Sequence, residues 1–135
     1  MAQLIDTSVF VALDRQGASL DGFETLMGDE PFAIASITAS ELLEGVHRTL
    51  EADQRLRRRD FIETVLGRVP SLPFDLASAR THALLVVDLS SRGLLIGAND
   101  LVIAATALTL GYSLLTHNLR HFQRVPGLVV NAPAW

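Results

Sequence analysis

The sequence predicts an α/β fold built on a mostly parallel sheet. Short apolar, β-like runs alternate along it with segments of helical periodicity, a pattern that implies parallel strands joined by right-handed crossovers. The 135 residues show no repeat, low-complexity tract or linker, so one domain spanning 1–135 is expected. Hydrophobic residues make up 49% of the chain, enough for a substantial core.

The elements follow in order. Residues 2–5 form an apolar strand, and 7–13 begin a helix. A second helix covers 19–27. Residues 31–35 are the next strand, with Pro31 tolerated at its first position. Thr38 opens a helix to about residue 50, where Thr38 and Glu41 have the spacing of a capping box. Another helix covers 52–66, and a short strand 71–74. Residues 75–91 read as an amphipathic helix, with Leu76, Ala79, Ala83, Val86 and Val87 at core spacing and Gly93 as its stop. Residues 99–110 form a buried helix closed by Gly111; 112–116 and 128–130 are the last strands. The apolar stretch 101–115 is broken by threonines and Gly111 and is shorter than the roughly 20 residues of a membrane span.

Composition excludes several classes. With no cysteine there is no disulfide, thiolate zinc site or cysteine nucleophile. The N-terminus lacks the basic stretch and apolar core of a signal peptide, so a cytoplasmic protein with no membrane association is expected. The net charge of −4 argues against a nucleic-acid coat protein but not against a nuclease, because local charge clusters outweigh the sum. All 11 basic residues are arginine.

Three carboxylates stand out: Asp6 in LIDTSVFVAL, Glu41 in ITASELLEGV and Asp100 in IGANDLVIAATAL. Each has an ordinary explanation. Asp6 and either Asn99 or Asp100 can cap helices, and Glu41 can close the capping box. In a parallel sheet, however, ligands bind beyond the carboxyl ends of the strands, where these acids fall. Three carboxylates there would repel one another, and no lysine is present to offset them. Hard oxygen ligands suit Mg²⁺ or Mn²⁺, and a bound cation can activate water against a phosphodiester. Ser8 and Thr116 are hydroxyls beside this pocket. His117 and His121 flank it. Glu44 is expected to pair with Arg48, Asp75 to cap a helix, and Asp88 to be solvated. Arg55, Arg57, Arg58 and Arg59 cluster on one helix, either as a solvated face paired with Asp53, Asp60 and Glu63 or as an RNA-backbone contact.

Four segments in this order carry a resemblance: LIDTSV, SELLEG, IGANDLVIAATAL and LLTHNLRHFQRVPGL. The chain resembles PIN domains, and among them the VapC-type ribonuclease toxins of toxin–antitoxin pairs. The resemblance implies a three-layer α/β/α sandwich and a Mg²⁺- or Mn²⁺-dependent endoribonuclease that cuts tRNA, rRNA or mRNA. It implies Asp6, Glu41 and Asp100 as catalytic and metal-binding acids, a cognate antitoxin as partner, and a homodimer. Many such proteins carry a further acid after the fourth strand. Here the segment 116–122 has none; Asn118 can offer a carbonyl oxygen and His121 a ring nitrogen. That departure keeps open a non-cutting PIN scaffold that binds RNA or a protein. Phospho-receiver and haloacid-type phosphotransferase domains also place an aspartate at a strand end. They rely on a lysine this chain lacks, and the haloacid D-x-D motif is broken by Ser8.

Overall fold

The computed structural model describes residues 2–134; Met1 and Trp135, the ends of the expected span, lie outside the described residues. The chain runs β1 (Gln3–Ile5), α1 (Thr7–Arg15), α2 (Leu20–Met27), β2 (Phe32–Ala35), α3 (Ser36–His47) and α4 (Ala52–Arg68). It continues through β3 (Ser71–Leu72), α5 (Leu76–Ser91), α6 (Ala98–Leu110), β4 (Ser113–Leu115), α7 (Leu119–Phe122) and β5 (Val130–Asn131). The five strands form one sheet in the order β3-β2-β1-β4-β5, and each pairing is parallel.

Successive side chains of a strand point to opposite faces, and here each face meets its own helical layer. Ile5, Ile34 and Leu115 point into a core with Val9, Phe10 and Leu13 of α1, Phe23 of α2, Leu42 and Val46 of α3, and Ile62 and Val65 of α4. Leu4, Ala33, Ala35 and Leu114 point the other way, against Leu85 and Leu89 of α5 and Ile103, Ala104 and Ala107 of α6. The three-layer α/β/α architecture follows. A sheet covered on both faces explains why the central strands read as unbroken apolar runs rather than as alternation. No helix among the described residues is long and apolar enough to cross a membrane.

Three expectations need correction. Helix α3 starts at Ser36, capped positionally by Ala35, so Thr38 lies inside the helix and the capping box does not form. β2 passes into α3 with no loop, and Thr38 turns fully into the core, its hydroxyl without a hydrogen-bond partner. Helix α5 buries Ser78, Leu85 and Leu89, whereas Leu76 and Val87 are 67% and 69% exposed and Ala83 is exposed too. Its apolar residues occupy two faces, so periodicity alone does not select the buried one. The short α7 was not expected, since four residues cannot display a helical period; buried Phe122 anchors it. Other local expectations hold. Asp75 caps α5 by accepting the Ser78 amide at 2.9 Å, which lowers its pKa, and Arg48 pairs with Glu44 at 2.7 Å. Gly111 ends α6 in the left-handed region at φ +69°, where a side chain would be strained.

Candidate active site

Two strand ends and three helix starts build the site. Asp6 immediately follows β1, and its amide donates to the Leu115 carbonyl of neighbouring β4 at 2.9 Å. The Asp6 carboxylate does not cap α1. Its Oδ2 instead accepts from Ser8 Oγ at 2.6 Å and Thr116 Oγ1 at 2.8 Å. The residue is only 3% exposed. Thr116, fully buried at the end of β4, also accepts the Asn118 amide at 2.9 Å, and Ser8 Oγ accepts the His117 amide at 3.0 Å. The two hydroxyls thus orient Asp6 and tie the segment after β4 to it.

Glu41 projects from the second turn of α3. Its Oε1 accepts from Thr7 Oγ1 at 2.7 Å and its Oε2 from Asn99 Nδ2 at 3.3 Å. Elements far apart in sequence therefore hold both carboxylate oxygens. Asp100 sits in the first turn of α6, whose cap position is Gly97, and makes no capping bond. None of the three acids is consumed by helix capping.

All three face one cleft of about 430 Å³, lined also by Thr7, Ser8, Arg15, His117 and Asn118. Charge crowding is felt at Asp100. Its pKa is raised, first by burial and then by Asp6 and Glu41, with His121 acting in the opposite direction. His121 Nδ1 lies 3.6 Å from Asp100 Oδ2, an ion pair when the ring is protonated. Among the described residues no three acidic or imidazole side chains stand together closely enough to hold a metal ion as they are placed; the acids border an open cleft.

Of the secondary candidates, Ser8 and Asn118 line the cleft, His121 reaches Asp100, and Thr116 lies behind Asp6 rather than on the cleft surface. Sequence reasoning missed Thr7 and the contact of Asn99 with Glu41. It also missed Arg15, which lines the cleft from the last turn of α1. Thr7 adjoins Asp6 in sequence, but a hydroxyl beside an acid is no signal alone, and Arg15 becomes a neighbour only when α1 docks.

The family model for PIN domains matches residues 4–128. The chain is 38% identical over 130 residues to Ribonuclease VapC1 of Rickettsia felis, covering 96% of this chain and 95% of that one. It superposes on VapBC2 from Rickettsia felis, solved bound to a DNA fragment from its promoter, with a TM-score of 0.85 and 27% identity, covering 98% and 99% of the two chains. It also superposes on VapBC-5 from Mycobacterium tuberculosis, a member of the VapBC family of toxin–antitoxin systems. There the TM-score is 0.75 at 29% identity, with 97% and 96% covered.

Proposed function

Because the chain belongs to the PIN domain family and, within it, to the VapC ribonucleases, we propose that it is a metal-dependent endoribonuclease and the toxin of a toxin–antitoxin pair. The convergence of Asp6, Glu41 and Asp100 on one cleft is the observation that carries this chemistry. The donors are hard carboxylate oxygens, no lysine is present to neutralise them, and the pKa of Asp100 is raised by burial first and then by the charges of Asp6 and Glu41. That set fits Mg²⁺ or Mn²⁺ held by Asp6, Asp100 and Glu41, and an open cleft suits an ion that keeps several waters. When bound, the cation supplies water activation and neutralises charge developing on the phosphodiester.

The chain's own residues do the positioning. Ser8 and Thr116 fix the Asp6 carboxylate, and Thr7 and Asn99 fix Glu41. Asn118 offers the cleft an uncharged amide, and His121 sets a ring nitrogen against Asp100. The substrate class is RNA, with tRNA, rRNA or mRNA as targets, met in the cytoplasm. A groove of about 200 Å³ adjoins the cleft between α1, α3 and α4, with Phe10, Val11, Leu42, Gly45 and Ile62 among its lining; Glu41 and Arg15 line both cavities. An apolar segment of the cognate antitoxin laid there would reach the acids. The exposed stripe Leu76, Leu84 and Val87 on α5 supports a homodimer.

The test compares wild type with Asp6→Asn and Asp100→Asn in Mg²⁺. Both variants should keep the far-ultraviolet circular dichroism of the fold and cut no RNA. Wild type should gain stability with Mg²⁺, about 2.7 kcal/mol at a hundredfold excess over Kd, and the variants far less. If both variants cut RNA as fast as wild type, the site assignment is wrong. One observation favours a second reading, a non-cutting scaffold: residues 116–122 contain no carboxylate. Wild type that binds RNA but never cuts it would establish that reading.

A further inference from the structure

The arginine cluster of α4 is divided by the fold. Arg58 is half-buried and structural: Nε donates to Asp14 Oδ2 at 2.7 Å and Nη1 to Thr49 Oγ1 at 2.7 Å. Arg55 turns to the Thr49 carbonyl at 3.3 Å. Arg59 lies 4.0 Å from neighbouring Asp60. Arg57 goes elsewhere. It joins Arg15, Asp14, Gln54 and Arg58 around a polar recess beside α1. Arg57 and Arg15 are exposed, and neither has a carboxylate within ion-pair distance among the described residues. Asp53 and Asp60, the acids nearest Arg57 along α4, are not within ion-pair distance of it, and Glu51, on which the Arg57 charge acts, accepts the Asp53 and Gln54 amides as the α4 cap.

Arg15 lines both this recess and the carboxylate cleft, so the two are continuous across one side chain. We propose that Arg15 and Arg57, with Gln54 in the same recess, form a phosphate-binding shelf that carries the RNA backbone from the carboxylate cleft across α1 to the first turns of α4. This assignment rests on the ribonuclease reading above.

A cluster of acids repels a polyanion, so a strand that reaches it needs cations alongside. With no lysine, the chain can supply them only as arginine. Arg15 lines the cleft and Arg57 the adjoining recess, and among the described residues neither guanidinium has a carboxylate within ion-pair distance. The arginine fork matches phosphate oxygens, and such contacts position a strand without reading its bases. Among the described residues no Phe, Tyr or Trp lines the cleft or the recess, so there is no stacking platform of large aromatic rings, and charge is the main source of affinity. An RNA occupant is favoured over a peptide because every residue lining the recess is polar or charged. A peptide's apolar side chains would find the adjoining groove instead.

The test is fluorescence anisotropy of a fluorescein-labelled, single-stranded RNA of mixed sequence, with Ca²⁺ in place of Mg²⁺, across a salt series. Arg15→Gln and Arg57→Gln should each weaken binding about threefold to tenfold at low salt. Each should also lower the slope of log affinity against log salt by about 0.7, the expectation for one lost phosphate contact to a single strand. Arg59→Gln makes the same charge change on the same helix and should stay within about twofold of wild type. Both arginines of the shelf are exposed, so the variants should keep the wild-type melting temperature. The proposal is overturned if the Arg15→Gln/Arg57→Gln double variant binds like wild type, or if Arg59→Gln loses as much as Arg57→Gln. It is also overturned if the double variant keeps its RNA affinity and instead loses antitoxin, which would make the recess a protein surface. Wild type that cuts RNA beside an unimpaired double variant sinks the shelf alone. Wild type that neither binds nor cuts RNA sinks the ribonuclease reading with it.

Discussion

At the residue scale, Asp100 is both partly buried and crowded by charge. Burial, then Asp6, then Glu41 raise its pKa above the ordinary 3.8. The sign of the consequence follows from linkage. Between the unfolded and the raised folded pKa, the native protein binds more protons than the unfolded chain. Stability from this group is therefore full below the unfolded value and is lost as pH rises through the folded one. Metal-free wild type should lose stability from about pH 4 upward by this component, and Asp100→Asn should lack it. Denaturant titrations of both proteins across that range measure the difference; parallel pH profiles would show that Asp100 is not under this pressure. On the proposed reading, the same crowding would favour a cation here. A site that repels itself when empty gains from a positive charge, whereas three helix caps would not.

At the element scale, α3 links the acids to the adjoining groove. It presents Glu41 to the cleft and Leu42 and Gly45 to the groove. A Cβ built at Gly45 meets nothing within 4 Å, so a side chain there enters open space rather than the core. Gly45→Met should fill the groove, keep or raise the melting temperature, since glycine in a helix interior costs about 1 kcal/mol relative to good helix formers, and weaken antitoxin binding while sparing cleavage. Isothermal titration with the antitoxin and a cleavage assay read the two effects separately. Undiminished antitoxin affinity would remove the groove from the interface. Helix α5 carries the opposite lesson. Its sequence offers two apolar faces, and packing against α6 buries the one with Leu85 and Leu89, leaving Leu76, Leu84 and Val87 outside.

The outward stripe on α5 bears on the whole molecule. Leu84 is 76% exposed, an unfavourable place for leucine in a lone chain. Leu84→Glu should shift the protein from dimer to monomer in light scattering with its fold retained, and a wild-type monomer would leave the stripe to another partner. Much of this molecule was legible in its residues. The alternation of strand and helix, the apolar central strands and the Asp75 cap all follow from local pattern, because side-chain period and backbone capping act over a few residues; the three acids stood out only through their place at strand ends and the resemblance of the segments around them. What lay beyond that range was set by packing. Taken singly, Asp6, Glu41 and Asp100 read in sequence as helix caps; taken together, at strand ends and without lysine, they read as a cluster. Only the juxtaposition of β1 with β4, and of α1, α3 and α6, turns Ser8 and Thr116 onto Asp6 and Thr7 and Asn99 onto Glu41. The buried face of α5, the start of α3 at Ser36, and the separation of Arg57 from Arg58 were likewise decided there. Each depends on contacts between segments tens of residues apart, and no local period encodes them.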